Sequence, residues 1–300
     1  MEAKLHAPVM LQEVLAYLDL GPGKTVVDAT VGTGGHAKEM LKQILPGGRL
    51  IGIDRDEESL KVAAERLADF KHNCNFVHAN FSDIDKILEQ LQIKKIDAIL
   101  FDLGISSFQL TDPERGFSFQ EEGPLDMRMD RTSFISAYDL VNNLNEDELS
   151  MMLRNFGQER WHNRIARHLV HERQRHPIGT TSELANIVER AIPSRFRYRY
   201  QRIHPATRTF QAVRIAVNRE LEALERAIER AVKFLSPRGR MAVISFHSLE
   251  DRIVKHSFRR LASEGQLELL TPKPLETSLT EIEANPSSRS GKLRAATKLR

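Results

Sequence analysis

The sequence is poor in several features that would place it in a specialised class. Among its 300 residues there is one cysteine, Cys74, which excludes an internal disulfide framework and a cysteine-rich zinc site. No apolar run approaches the ~20 residues that a membrane-spanning helix needs, and the N-terminal MEAKLHAPVM lacks the apolar stretch of a signal peptide. Hydrophobic residues make up 41% and charged residues 28%, which is typical of a globular protein. We therefore expect a cytoplasmic, two-domain protein without a membrane segment.

Positive charge is unevenly distributed, although the net charge is only 44 − 41 = +3. Residues 151–205 carry eleven arginines, no lysine and four acidic residues, and the last fifteen residues carry five basic residues and no acid. Guanidinium groups pair with phosphate through two hydrogen bonds and stack on bases. One such run is equally compatible with a solvated helix face, but two basic segments favour a nucleic-acid partner.

Strands and helices alternate in the first hundred residues. Buried strands are predicted at 25–29, 49–54, 75–78 and 96–101, with helices between them. This alternation predicts an α/β fold with a parallel, doubly wound, Rossmann-like sheet.

The pattern changes in the middle of the chain. From Asn145 to about Pro193 the periodicity is helical, and a single long helix is predicted from 206 to about 235. A buried strand then returns at 240–246, and the tail from Pro272 has the composition of a loop. We therefore predict a sheet domain made of residues 1–112 and 206–300, with a basic tail, and an all-helical, substrate-recognising insertion at 113–205.

A glycine-rich turn follows the first predicted strand. Gly32, Gly34 and Gly35 come between Asp28, at the end of that strand, and the next helix. Such glycines let the backbone approach a ligand and leave the helix N-terminus open. Asp54 ends the second strand and is placed to accept hydrogen bonds from the ribose hydroxyls of an adenosine. The arrangement fits both NAD and S-adenosylmethionine, and the carboxylate of Asp28 favours the latter because it would repel a pyrophosphate.

The fourth predicted strand ends at Asp102, which a parallel sheet brings to the same edge as the glycine turn. A carboxylate beside a methyl donor can accept hydrogen bonds from an exocyclic amine. Amino methyltransferases carry an Asp/Asn/Ser-Pro-Pro-aromatic motif at this point, and Asp102 fits its first position although the prolines and the aromatic are missing. No cysteine lies near these motifs, so methylation of a ring carbon through a cysteine nucleophile is disfavoured and amine methylation is favoured.

Several long blocks of the chain resemble the ribosomal RNA small subunit methyltransferase H family, the bacterial 16S rRNA cytosine-N4 methyltransferases. The resemblance runs over almost the whole length, with small departures at Phe108 and Ser287. It is carried by HAPVMLQEVL at 6–15, DATVGTGGHA at 28–37, IDRD at 53–56, DLGISSFQLTDPERGFSF at 102–119, PLDMRMD at 124–130, HPATRTFQAVRIAVNREL at 204–221, SFHSLEDRIVK at 245–255 and NPSSRSGKLRAATK at 285–298.

The resemblance implies an S-adenosylmethionine-dependent enzyme that methylates a 16S rRNA cytosine at N4, near the decoding centre of the small subunit. It implies cofactor contacts at Gly34, Gly35, His36, Asp54, Phe81, Asp102 and Gln109, to which the residues themselves add Asp28 and Gly32. Asp102 is the predicted catalytic residue. A DNA amino methyltransferase acting on cytosine N4 or adenine N6 is the second hypothesis.

The predicted RNA-binding residues lie in both basic segments. They are Arg195, Arg197, Arg199 and Arg202, which alternate with aromatic residues, and Arg289, Lys292 and Arg294 in the tail. No metal is expected, because the histidines of the arginine-rich segment lack a matching set of cysteine or acidic ligands. Phe117, Phe119 and Phe246 are candidates for stacking on an extruded base. The sequence leaves the oligomeric state open, a homodimer included.

Overall fold

A computed structural model describes residues 8–197 and 204–299, except for the side chains of Arg195 and Arg197. The chain divides into two compact units. The sheet unit consists of Met1–Gly104 and Leu221–Arg300, and the helical unit of Ile105–Glu220. Within the described ranges, every helix is too short or too polar to span a bilayer.

A single eight-stranded sheet forms the centre of the sheet unit. Its strand order is β3-β2-β1-β4-β5-β8-β6, with β7 paired to β8. The first five of these strands are parallel, and β8 runs antiparallel to β5, β6 and β7. The strands are β1 Thr25–Asp28, β2 Arg49–Asp54, β3 Cys74–His78, β4 Ile96–Asp102, β5 Leu235–Ser245, β6 Leu267–Leu269, β7 Leu275–Glu276 and β8 Lys292–Lys298. The predicted doubly wound α/β sheet is confirmed.

The helices connect the strands of the sheet unit and build the core of the helical unit. Helices α5 to α11 lie in the helical unit, and α12 begins at its last residue. In chain order they are α1 Leu11–Leu18, α2 Gly35–Ile44, α3 Glu57–Arg66, α4 Ile84–Gln90, α5 Ser107–Thr111, α6 Ala137–Asn143, α7 Glu146–Gly157, α8 His162–Arg173, α9 Thr181–Ala191, α10 Ser194–Arg197, α11 Thr207–Asn218, α12 Glu220–Phe234, α13 Ser248–Ser263 and α14 Leu279–Ala284.

Both faces of the parallel sheet are buried, which explains the almost continuous apolar runs of its strands. Successive strand residues point to opposite faces, so Val26 and Val27 belong to two different core clusters. One cluster includes the predicted apolar stripe of α12, with Leu224, Ile228 and Val232 fully buried or nearly so.

The helical unit has its own hydrophobic core, formed by α6 to α9 and α11. It starts eight residues before the predicted insertion (113 − 105) and ends fifteen residues after it (220 − 205). The later end follows from α11, whose Phe210, Ala212 and Val213 are buried in this core. Periodicity alone assigned that stretch to the sheet domain because it shows an apolar stripe without showing what the stripe contacts.

The single long helix predicted from 206 to 235 is wrong, because the structure breaks it into α11 and α12. Arg219 between them takes a left-handed conformation with φ 50°. The preceding Asn218 is buried and donates to Met127 O and accepts from Met129 N, both at 2.8 Å. These bonds satisfy a buried amide by fixing it against a loop, and the helix ends where they form.

The prediction that the tail from Pro272 is irregular is also wrong. The tail contains α14 and β8, and β8 lies between β5 and β6 inside the sheet. Five consecutive residues of β8, from Leu293 to Thr297, are buried. Three of them, Leu293, Ala295 and Ala296, are apolar, and the basic residues around them mask this short strand in the sequence.

Candidate active site

Three aspartates end neighbouring parallel strands of the sheet unit. Asp28 is the last residue of β1, Asp54 of β2 and Asp102 of β4. Because β1 lies between β2 and β4, the three carboxyl ends meet along one edge of the sheet. Chain connections leave β1 and β4 in opposite directions there, which is the point where doubly wound folds bind ligands. The structure therefore brings together the aspartates that the sequence singled out.

The carboxylate of Asp54 holds the glycine turn in place. Its Oδ2 accepts from Gly32 N at 2.7 Å, and its Oδ1 accepts from Asp56 N at 2.9 Å. Burial raises the pKa of Asp54 to about 6, although these backbone donors oppose the shift. The backbone of Arg55 also donates to this carboxylate. Since a carboxylate offers about four acceptor positions, the predicted role toward ribose hydroxyls stays compatible with this structural one.

The glycine turn needs glycine for conformation and for space. Gly34, directly before α2, has φ 81°, where residues with a side chain are strained. A Cβ there would stand 3.1 Å from Leu67 Cδ1. A Cβ on the next residue, Gly35, would stand 3.1 Å from Pro8 Cγ. The turn is therefore closely packed against Leu67 and Pro8, and its glycines place backbone without side chains at the strand ends.

Asp28 is buried and serves partly as a cap of the turn. Its Oδ1 accepts from Thr30 N at 3.3 Å, and 1% of the residue is exposed. Burial, followed by the nearby charge of Asp54, raises its pKa to about 7. A buried carboxyl group with so high a pKa is stabilised by a cationic ligand, because the ligand offsets both the lost hydration and the like charge.

Asp102 is tied to the glycine turn through its backbone and leaves one carboxyl oxygen open. Its N–H donates to Thr30 Oγ1 at 2.7 Å. Its Oδ1 is buried and has no hydrogen-bond partner among residues 8–197 and 204–299. Burial first, then the charges of Asp28 and Glu250, raise the pKa of Asp102 well above its usual range. A buried acceptor without a partner marks the place where a ligand or substrate donor fits.

His36, in the first turn of α2, faces Asp102. Its Nδ1 lies 3.4 Å from Asp102 Oδ2, and its Nε2 lies 3.0 Å from Val9 O. The ring is 6% exposed, and burial lowers its pKa to about 4. His36 was predicted only as a cofactor contact, and the structure adds a side-chain contact to the predicted catalytic residue.

The other two predicted cofactor residues differ in their surroundings. Phe81 follows β3 and is half-buried, with its ring edge-on to Phe101 at 5.8 Å between centroids. One side of Phe81 therefore packs against the hydrophobic core, which is an ordinary structural role for a phenylalanine. Gln109 lies in the helical unit, where it forms a capping box with Ser106 at the start of α5.

The tail residues predicted to bind RNA separate into two kinds. Arg289 is exposed and Lys292 is half-buried. Arg294 is 7% exposed, and its Nε donates to Asp251 Oδ1 at 2.6 Å with Nη2 near Oδ2 at 3.3 Å. The guanidinium of Arg294 is therefore committed to a largely buried ion pair inside the sheet unit, and its predicted contact with RNA stays a prediction.

Most of the predicted arginine–aromatic run, residues 195–202, lies outside the described residues. Arg199 and Arg202 fall outside the described residues, as do the side chains of Arg195 and Arg197, so their RNA-binding role stays a prediction. Phe196 packs against Trp161, with ring centroids 5.1 Å apart. Phe196 is therefore partly buried and packs against the hydrophobic core of the helical unit. Of the three stacking candidates, Phe117 is buried and Phe119 packs on Phe210, whereas Phe246 is half-buried.

Two residues of the site were not predicted from the sequence. Thr30 joins the glycine turn to Asp102, and Val9 supplies the carbonyl that holds His36. Both fall in blocks that carried the family resemblance, which was the one available signal. Spacing could not find Val9, because it is 27 residues from His36 and precedes the first helix.

Comparison with known proteins agrees with this geometry. The model of the MraW methylase family matches residues 3–299. The chain belongs to the MraW methylase family. Proteins named Ribosomal RNA small subunit methyltransferase H are similar over nearly the whole length: one from Clostridium botulinum (strain 657 / Type Ba4) is 46% identical, covering 98% of this chain and 99% of the relative. One from Sulfurihydrogenibium sp. (strain YO3AOP1) is 49% identical with the same coverage.

A solved structure is a more distant match. The N-methyltransferase NodS from Bradyrhizobium japonicum, in complex with S-adenosyl-L-homocysteine, is 8% identical with a TM-score of 0.44, covering 96% of this chain and 85% of that one. As a member of a methylase family, the chain is a methyltransferase, and S-adenosylmethionine is its methyl donor.

The residues present fit this donor. S-adenosylmethionine carries a positive sulfonium and a ribose with two hydroxyl groups. The buried carboxyl groups of Asp28, Asp54 and Asp102 provide hydrogen-bond acceptors at one sheet edge, and Asp102 Oδ1 lacks a partner within the described chain. Because the glycines of the turn carry no side chains, they leave space for the donor beside these carboxyl groups.

Proposed function

We propose that this methyltransferase methylates the exocyclic N4 amine of a cytosine in the 16S rRNA of the small ribosomal subunit, in the cytoplasm. Support comes from two directions. The relatives that match over nearly the full length are named for the RNA of the small subunit. The observation that carries the amine chemistry is the buried, unpartnered Oδ1 of Asp102 within the described residues, beside the glycine turn.

The cofactor would be held by the strand ends and the glycine turn. Asp54 would accept from the ribose hydroxyls while its carboxylate keeps Gly32 in place. Gly34 and Gly35 would present backbone, and the negative charge of Asp28 would attract the cationic part of the ligand. Phe81 and Gln109 join this proposed set through the resemblance. When bound, S-adenosylmethionine supplies an electrophilic methyl group.

Asp102 is the proposed catalytic residue because a cytosine amine needs help to act as a nucleophile. The amine's lone pair is delocalised into the ring, so an acceptor must orient the N–H bonds and draw electron density back to nitrogen. Asp102 Oδ1 would accept one N–H and then its proton. Holding the amine in line for displacement supplies a large part of the rate by positioning alone.

The RNA surface is proposed to include Arg289 and Lys292, whose side chains reach solvent at least in part. The predicted run of Arg195, Arg197, Arg199 and Arg202 would add phosphate contacts. Each neutralised phosphate releases counterions, so binding should weaken steeply as salt rises. The DNA alternative is not favoured, since the matched relatives are named for ribosomal RNA.

Mapping of the methylated nucleoside tests this function. Purified small subunits and their naked RNA, both from a strain lacking the enzyme, are incubated with the protein and isotopically labelled S-adenosylmethionine, then digested and analysed by mass spectrometry. We expect the label in N4-methylcytidine at one position of 16S rRNA. Label at C5 of cytosine, in large-subunit RNA or only in DNA would contradict the proposal.

A further inference from the structure

We propose that His36 and Asp102 share one proton between Nδ1 and Oδ2, which leaves Oδ1 of Asp102, a buried oxygen without a partner in the described chain, as the acceptor for the substrate amine. His36 is then a positioning residue, because it acts on the substrate through Asp102. The identity of the amine rests on the proposed function, but the shared proton is a property of the cofactor-free protein and can be tested without any substrate.

The tautomer of His36 is fixed by the contact of its other nitrogen. Val9 O can only accept a hydrogen bond, so His36 Nε2, at 3.0 Å from it, must carry the proton. Val9 is itself fixed, since its side chain is buried in the core and the next residue, Met10, donates from N to Glu281 Oε1 at 2.7 Å. A neutral His36 therefore presents a lone pair at Nδ1.

The nearest carboxyl oxygen to that nitrogen belongs to Asp102. Asp102 Oδ2 lies 3.4 Å from His36 Nδ1, and the ring is buried. Without a proton between Nδ1 and Oδ2, both atoms would be acceptors facing each other in a buried site, which is unfavourable. One proton removes the repulsion and makes a hydrogen bond, so the pair retains a proton over a wide range of pH.

The surroundings decide which partner holds this proton. Asp28 from β1 and Glu250 from α13 raise the pKa of Asp102, as does burial, and Asp54 from β2 acts on Asp28. Burial lowers the pKa of His36 to about 4. A neutral acid beside a neutral imidazole also avoids the desolvation of two ions. The proton therefore rests on Asp102 Oδ2 and is donated to His36 Nδ1.

The arrangement lets the pair take up the proton that the amine loses. As the new N–C bond forms, the bond between the methyl group and the donor sulfur would break and leave a neutral thioether, so N4 would become positive and its N–H bond would weaken. The N4 proton moves to Asp102 Oδ1 while the Oδ2 proton moves to His36 Nδ1. The carboxyl group stays neutral, the imidazole becomes an imidazolium, and its proton returns to solvent after the product leaves.

Two variants separate the two contacts of the ring. His36→Gln keeps an N–H donor near the position of Nε2 for Val9 O and removes Nδ1. His36→Asn removes the Val9 contact and places an amide where Nδ1 was, which can donate to Asp102 Oδ2. Aspartate labelled with ¹³C at the carboxyl carbon gives a signal for Asp102, assigned by its loss in Asp102→Asn, and that signal is followed against pH in the cofactor-free protein.

We expect Asp102 to be a neutral acid at neutral pH in the wild type. Its titration midpoint should fall by about one to two pH units in His36→Gln, which removes the acceptor, and further in His36→Asn, which stabilises the carboxylate. An unchanged midpoint in His36→Gln would overturn the inference. Thermal unfolding of both variants establishes that they are folded.

The wild type alone provides a second test, should a variant not fold. In ¹⁵N-labelled histidine spectra, we expect His36 to carry a proton on Nε2 and none on Nδ1 at neutral pH. A doubly protonated His36 beside an Asp102 carboxylate would overturn the inference. Neither spectrum depends on which nucleoside is methylated, so failure here is distinct from failure of the proposed function.

Discussion

The strand-end aspartates hold the glycine turn, and Asp102 Oδ1 is in addition without a partner within the described residues. Asp28 caps the turn at Thr30, and Asp54 holds Gly32. The sequence predicted the positions of these carboxylates, because strand ends in a parallel sheet share an edge. It could not predict that His36 Nδ1 meets Asp102, since that depends on a ring orientation set by the carbonyl of Val9.

Asp28 should make stability fall as pH rises toward neutrality. Its pKa is about 7 in the folded chain against an ordinary value of 3.8. Between these values the folded chain keeps a proton that the unfolded chain has lost, so raising the pH lowers the free energy of unfolding. Asp28→Asn keeps an oxygen acceptor for Thr30 N and cannot ionise, so its stability relative to the wild type should increase from about pH 4 to about pH 7.

Urea unfolding of the cofactor-free protein across this range checks the prediction. The exposed Asp69 provides the control, because Asp69→Asn removes the same charge without relieving a buried site. A stability difference between Asp28→Asn and the wild type that does not change with pH would show that Asp28 ionises normally in the folded chain.

At the scale of elements, the strands and most helices follow from periodicity, but their ends and partners do not. The apolar runs of β1, β2 and β4 were visible because both faces of the sheet are covered. The division between α11 and α12 was not visible, since it depends on the contacts of Asn218 with a loop about ninety residues away. Neither was β8, whose pairing partners, β5, β6 and β7, precede it in the chain.

The glycine turn at the start of α2 makes a prediction about an element. Gly34→Ala would place a Cβ 3.1 Å from Leu67 Cδ1 at φ 81°, so we expect a loss of about 1–2 kcal/mol in the free energy of unfolding. S-adenosylmethionine affinity, measured by calorimetry, should also fall. Gly21→Ala is the matched control, because no atom lies within 4 Å of its added Cβ and its φ is not positive. Equal behaviour of the two variants would contradict the assignment of this turn to the cofactor.

At the scale of the whole molecule, some arginines of the basic segments bond to other parts of the fold, and others are exposed to solvent. Arg164 donates to Ala191 O, and Arg173 donates to Val141 O at 2.7 Å. Charge counting predicted a nucleic-acid partner, which is the class that the matched relatives are named for, but it could not tell which guanidinium groups are committed inside the fold. The paired Arg294 is the clearest example.

Arg294 and Arg289 should therefore respond differently to the same substitution. Arg294→Ala removes the guanidinium that pairs with Asp251 and should lower the free energy of unfolding by about 2 kcal/mol or more. Arg289→Ala should leave stability unchanged and reduce the salt dependence of RNA binding by about one counterion. Unfolding and filter-binding measurements on both variants check this, and loss of RNA affinity in a fully stable Arg294→Ala would contradict the structural role.

The proposed chemistry depends most on Asp102. Asp102→Asn keeps a carbonyl acceptor but cannot take a proton from the amine. If proton acceptance is its role, the methyl-transfer rate should fall by roughly 10²–10⁴-fold with little change in RNA affinity. If Asp102 only binds the cofactor, excess cofactor should compensate for the substitution.

Single-turnover methylation of small-subunit RNA at saturating S-adenosylmethionine separates these roles most directly. The account predicts that Asp102→Asn stays slow by roughly 10²–10⁴-fold however much cofactor is added. Recovery of the wild-type rate at saturating cofactor would contradict the catalytic role of Asp102 and leave it only a binding role.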